Sequence, residues 1–187
     1  MARHAGGSAA GPGIRKQETI MKKLTLTATA LCMLAPALHA AETSAGISGR
    51  DGADLGTVSV RDTPSGAALA TVTLKNLPAG THAIHLHETG DCEAEDFSSA
   101  GGHIAGDRAH GVLVEGGPHP GDMPNLTVRD DGIGEVEVFL PYLQVERDLM
   151  DGDGAAFVMH ADSDDYESQP SGDAGERIAC GAFSASE

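Results

Sequence analysis

Beyond residue 55 this chain never sustains a helical period. Apolar residues alternate over short runs, and Gly, Pro, Asp and Asn break those runs at regular intervals. Gly56-Thr57-Val58-Ser59-Val60-Arg61 alternates as a strand does, and Asp62-Thr63-Pro64-Ser65-Gly66 turns the chain. Residues 67–74, 81–88, 132–140, 154–161 and 178–184 repeat the pattern. Short strands and turns spaced in this way predict an all-β sandwich or barrel. Residues 89–125 interrupt the rhythm with a Gly- and Pro-rich polar stretch, too long for an ordinary connection. Long ordered loops usually carry function.

Six of the nine histidines fall between positions 82 and 122. On a strand, His85 and His87 point the same way, about 7 Å apart at the backbone, while Ile84 and Leu86 face the core. His82 falls on the other face and reads as a structural, hydrogen-bonded histidine. His103 follows Ala100-Gly101-Gly102, where missing side chains permit close backbone approach. His110, His119 and Asp122 follow it on the loop. Three imidazole nitrogens and one carboxylate oxygen make a tetrahedral set that zinc accepts. His160 sits between apolar Met159 and Ala161; by itself it reads as a core histidine, and beside the other clusters as a ligand. Imidazoles gathered from several positions suit copper.

Residues 21–40 read as a secretory signal, with Met21-Lys22-Lys23 ahead of an apolar run at 24–38 and cleavage after Ala40. Residues 1–20 read as an over-extended start, and 41–187 as the folded domain. Export removes Cys32 and leaves Cys92 and Cys180 to pair in an oxidising compartment. Residues 41–187 hold 7 Lys and Arg against 27 Asp and Glu. Such a charge opposes nucleic acid and anionic membrane surfaces. No apolar run after residue 40 is long enough to span a membrane.

Five stretches together resemble the bacterial exported copper/zinc superoxide dismutases. They are His82-Ala-Ile-His85-Leu-His87-Glu-Thr-Gly-Asp-Cys92, Ser99-Ala-Gly-Gly-His103 with His110-Gly111, His119-Pro-Gly-Asp122-Met-Pro-Asn-Leu, Val158-Met-His160-Ala, and Arg177-Ile-Ala-Cys180-Gly. The resemblance covers nearly all of 56–184. It implies an eight-stranded flattened Greek-key β-barrel with two long functional loops. It implies copper ligands His85, His87, His103 and His160, and zinc ligands His103, His110, His119 and Asp122, with His103 bridging the metals. Cys92–Cys180 matches the family disulfide, and Arg177 the arginine that guides the superoxide anion. Asp164 matches the carboxylate that joins one histidine of each metal site, with Asp162 and Asp165 as competitors. The implied activity is superoxide dismutation in the periplasm; bacterial members of the family occur both as monomers and as dimers, so the sequence leaves open whether the chain forms a homodimer. The rival reading is a non-enzymatic periplasmic copper/zinc-binding protein on the same scaffold.

Three departures carry expectations of their own. The spacing from His103 to His110 is one residue shorter than in the animal enzymes. Residues 165–176 hold no Lys or Arg, which predicts slower and less salt-sensitive association with superoxide. Residues 41–51 offer only Ile47 as a large apolar side chain, which predicts a frayed first edge to the barrel.

Overall fold

The computed structural model describes residues 40–185. The over-extended start and nearly all of the stretch read as an export signal lie outside the described residues. The strands are β1 (Glu42–Gly49), β2 (Asp54–Asp62), β3 (Ala68–Leu74), β4 (Gly80–His82), β5 (Ile84–His87), β6 (Leu126–Val128), β7 (Gly134–Leu140), β8 (Ala156–His160), β9 (Arg177–Ala182) and β10 (Ser184–Ala185). One helical turn, α1 (Val145–Asp148), and a short 3₁₀ turn, Ser98–Ala100, complete the elements. Among the described residues no helix is long and apolar enough to cross a membrane.

All pairs are antiparallel, in the order β4-β6-β7-β3-β2-β1-β9-β8-β5, with β10 on β1. The two ends of that order, β4 and β5, are separated only by Ala83. Ala83 donates its N–H to Asp162 and accepts the His160 N–H. One continuous strand therefore leaves β6 and joins β8 at this residue, which closes the sheet into a barrel. The eight strands expected from sequence become ten segments because of two breaks, at Ala83 and at Phe183. β3 connects across to β4 and β7 across to β8, the long returns of a Greek key.

β1 corrects an expectation. It is not a frayed edge: it pairs with β2 on one side and with β9 and β10 on the other, and buries Ala45 and Ile47. Close approach replaces bulk here. A Cβ on Gly181 would collide with the Gly46 carbonyl and the end of Ile47, so glycine lets β1 lie flush against β9.

The barrel core follows from alternation. β3 turns Ala68, Ala70, Val72 and Leu74 inward, and its neighbour β7 sets Val138 opposite Ala70 and Val136 opposite Val72. β8 differs, because all five of its residues are buried. Phe157 and Met159 belong to the barrel core. Ala156 and Val158 face the other way, into a second cluster with Phe97, Ala100 and Cys180. Burying a side chain such as Phe157 contributes about 2–3 kcal/mol. That second cluster fastens the loop after β5 onto the barrel wall. The disulfide Cys92–Cys180 reinforces it, with a Cα–Cα distance of 5.9 Å.

Candidate metal centre

The outer face of β5 is roofed by the loop that follows it. Leu86 donates to the Gly121 carbonyl and accepts from Ile104, each at 2.9 Å, and Glu88 donates to Gly102 at 2.9 Å. These bonds lay residues 102–104 and 121–122 along the edge of β5 that β8 leaves open. Bridges form between His87 and His103 and between His85 and Asp122. Backbone pairing thus brings the loop ligand types beside the His-x-His strand, and the bare backbone at Gly101 and Gly102 lets them approach.

Each histidine on the inner side of this roof has one ring nitrogen engaged. His85 Nε2 donates to Asp164 Oδ2 at 2.8 Å. His87 Nδ1 donates to the Gly101 carbonyl at 3.0 Å, and His160 Nδ1 to the Gly175 carbonyl at 3.3 Å. His103 Nδ1 lies 3.1 Å from Asp122 Oδ1. The opposite nitrogens, His85 Nδ1, His87 Nε2, His103 Nε2 and His160 Nε2, are buried without a hydrogen-bond partner. One ligand-type atom from each of these four residues falls within 4.8 Å of the others. A buried, unpaired imidazole nitrogen costs free energy. Four of them converging is a cavity shaped for a cation. Burial favours the neutral form of three of these rings, lowering the pKa of His85 to about 3, of His87 to about 2 and of His160 to about 4.

Asp122 organises a second cluster. Its Oδ2 accepts the backbone N–H groups of Gly111 and His119, both at 2.9 Å. Its Oδ1 is left facing three Nδ1 atoms, of His103 and His110 at 3.1 Å and of His119 at 3.3 Å. A tetrahedron with metal–ligand bonds of about 2.0 Å has edges of about 3.3 Å. The spacing around Oδ1 has that size. A compact grouping can also be drawn with His85 in place of His119. His85 is better spent in the first cluster, because its Nε2 is held by Asp164, whereas His119 Nδ1 is buried, unpaired and aimed at Asp122. The short spacing from His103 to His110 is absorbed by the loop. Burial would lower the His110 pKa, but hydrogen bonds to Asp122 and Asp164 outweigh it and raise it to about 9. Two carboxylates around one ring call for positive charge at that point. Burial raises the Asp122 pKa, yet its bonds from His103 and His110 hold it well below the usual carboxylate range.

Asp164 joins the clusters. Oδ2 accepts from His85, and Oδ1 accepts from His110 Nε2 at 3.1 Å and from the Tyr166 N–H at 2.6 Å. Gly172 passes over this bond at positive φ, where any Cβ would collide with Asp164 Oδ1 and His110 Nε2. Asp162 points to solvent, and Asp165 instead accepts from Ser168 and Glu167. His82 is buried away from both clusters, with its ring nitrogens 3.0 Å from the His160 carbonyl and 3.1 Å from that of Pro78. Arg177 donates to the carbonyls of Phe97 and Gly101, both at 2.7 Å, and its pKa is lowered by burial against the opposing charge of Asp96.

Two supporting residues went unread in the sequence. Asn125 grips Asp164 by its backbone, accepting the N–H at 2.8 Å and donating to the carbonyl at 2.9 Å. Gln169 grips the backbone of His110 in the same way. Asn125 stands three residues after Asp122, close enough to a ligand set to draw notice, but no sequence pattern marks Gln169.

The sequence profile described as copper/zinc superoxide dismutase matches residues 55–183. The "Superoxide dismutase [Cu-Zn]" of Caulobacter vibrioides is 39% identical over 140 residues, 71% of this chain and 80% of that protein. "Superoxide dismutase [Cu-Zn] 1" of Aquifex aeolicus is 38% identical over 145 residues, 75% of this chain and 86% of that protein. Among solved structures, the SOD-like protein of Bacillus subtilis superposes with a TM-score of 0.70 at 32% identity, covering 74% of this chain and 96% of that one. The Cu/Zn superoxide dismutase of Brucella abortus gives 0.63 at 28% identity, over 76% and 99%. A profile match over most of the chain, with bacterial relatives more than 35% identical over 80% or more of their own length, supports one conclusion: the chain belongs to the copper/zinc superoxide dismutase family.

Proposed function

We propose that this chain disproportionates superoxide with copper held by His85, His87, His103 and His160, and zinc held by His103, His110, His119 and Asp122. The observation that carries this reading is the set of four buried, unpaired nitrogens converging from three separate segments. Two superoxide anions and two protons yield one dioxygen and one hydrogen peroxide. Copper, when bound, supplies a one-electron couple, and zinc, which has no redox chemistry, supplies a fixed positive charge.

The chain's own residues do the rest. His103 belongs to both sets: Nδ1 is committed on the Asp122 side, so Nε2 is the atom where a proton can be held between the two halves of the reaction. Asp164 orients His85 and His110 at once and fixes which nitrogen of each ring carries a proton. Arg177 is the anion-holding residue. Two carbonyls fix its guanidinium, whose five N–H groups exceed those two bonds, and an arginine stays charged. Attraction of an anion to so acidic a chain is local, at Arg177 and the metal charges.

The reading extends to location and assembly. The signal-like stretch 21–40 and the Cys92–Cys180 disulfide support export to the periplasm. A homodimer has a candidate face beside the second cluster. Val112, Phe139 and Tyr142 are exposed there, around a cavity of about 490 Å³. A protruding Phe139 beside a hollow on the same face is the self-complementary arrangement a twofold interface needs. Sedimentation of wild type and Phe139→Glu tests it: a dimer lost in the variant supports the face, and a monomeric wild type refutes it.

The activity test uses the purified chain loaded with copper and zinc. Equal amounts of the two metals and fast superoxide decay are expected. His160→Ala should lose copper and activity, keep zinc, and keep the fold. Metal retention without turnover would favour the non-enzymatic metal-binding reading. Loss of zinc with retained activity in His160→Ala would overturn the ligand assignment.

A further inference from the structure

Gln169 lies on the loop 161–176, outside every motif that carries the family resemblance. Its carboxamide oxygen accepts the His110 N–H at 3.0 Å. Its nitrogen donates to the His110 carbonyl at 2.9 Å and to the Glu167 carbonyl at 3.0 Å. Both polar ends of one side chain therefore grip the backbone of one residue, as a neighbouring strand would. His110 needs such a partner. It stands in an irregular stretch, next to Gly111 at positive φ, whose missing Cβ leaves room for the Tyr166 carbonyl. The ring of His110 is held at Nδ1 by Asp122 and at Nε2 by Asp164. Gln169 holds the backbone that aims this ring, from the same loop that carries Asp164.

We propose that Gln169 is a positioning residue for zinc: by clamping the backbone of His110 it fixes Nδ1 against Asp122 and makes zinc retention depend on the loop 161–176. This rests on the zinc assignment above. A carboxamide suits the task better than water, because its donor and acceptor are rigidly spaced and stay attached to the loop.

The test follows zinc transfer from the copper- and zinc-loaded protein to a chromophoric chelator, with copper content read in parallel. Gln169→Leu removes both bonds at similar volume and should release zinc about tenfold faster, the lower end of the effect of losing a partner one bond beyond a ligand. Gln169→Glu keeps an acceptor for the His110 N–H and should fall between Leu and wild type. Ser168→Ala breaks a bond inside the loop, from Ser168 Oγ to Asp165 Oδ2, without touching His110, and should leave the rate unchanged. Wild-type zinc release from Gln169→Leu overturns the inference. So does equal acceleration by Ser168→Ala, or copper loss in proportion to zinc loss. His110→Ala is the benchmark. If it keeps zinc, the ligand assignment falls and takes the clamp with it; if it loses zinc while Gln169→Leu does not, only the clamp falls.

Discussion

β2, β3 and β7 form one side of the barrel and show one face to water. β5 and β8 form the other and show neither. On the open side the alternation of the sequence is the alternation of burial: in β3 every second residue is inside and its neighbours are partly exposed. On the roofed side all four residues of β5 and all five of β8 are buried. Hydrophobic residues fill the inward positions in both regions. What differs is the outward row, which carries Glu135, Glu137 and Phe139 on β7 but His85 and His87 on β5. The converging unpaired nitrogens lie at the outward row that the loops cover. A covered row can hold imidazoles neutral and unpaired, which water would not permit. The cost of those unpaired nitrogens is offset when a cation fills the space between them.

That contrast can be tested by matched substitutions. Val158→Ala, on the covered outward row of β8, should destabilise the protein by about 2–3 kcal/mol. Thr73→Ala, on the exposed outward row of β3, should shift it by no more than about 0.5 kcal/mol. Urea unfolding of the two variants measures the difference, and similar losses would erase the distinction.

Asp164→Asn should come next in size. It keeps the shape but removes the charge between His85 and His110, and metal affinity should fall by about 10–100-fold. Chelator competition for each metal checks this, and an effect on both metals is expected because the carboxylate touches a ring from each cluster.

Acid should act mainly on the roofed side of the metal-free protein. His85, His87 and His160 have folded pKa values of about 3, 2 and 4, all lowered by burial, so the unfolded chain binds protons first as pH falls below about 6.5. Their contribution is intact above that pH and is lost progressively down to the folded values. His110 has the opposite sign: its pKa is raised to about 9, so its contribution is full below about 6.5 and lost as pH rises through 9. Unfolding free energy of the metal-free protein against pH should therefore fall on both sides, more steeply in acid. A flat acid limb would mean that the roof admits water.

The smallest effect concerns salt. With no Lys or Arg at 165–176, the superoxide decay rate should change little with ionic strength. A steep fall with added salt would show long-range steering from elsewhere on the surface.

The strands of the open side were legible because period-two alternation is local and needs only a dry face and a wet one. The His-Leu-His of β5 was legible for the same reason, down to the face on which His85 and His87 point. β1 was misjudged because bulk was taken as the measure of a core strand; its place depends on Gly181, far along the chain, which lets the backbone approach. Gln169 gave no signal, since an exposed glutamine in a loop looks the same whether it grips a backbone or faces water.

The sequence by itself determined the fold class and the strand that presents two imidazoles on one face, because these follow from residue type and short spacing. Only the tertiary structure decided which nitrogen of each ring is committed and which carboxylate stands between the clusters. Asp162, Asp164 and Asp165 are chemically alike and nearly adjacent. Asp164 differs because Asn125, 39 residues away, holds its backbone so that the carboxylate turns inward to meet His85, 79 residues away. Contacts of that range exist only once the barrel has closed and the loops have settled on it.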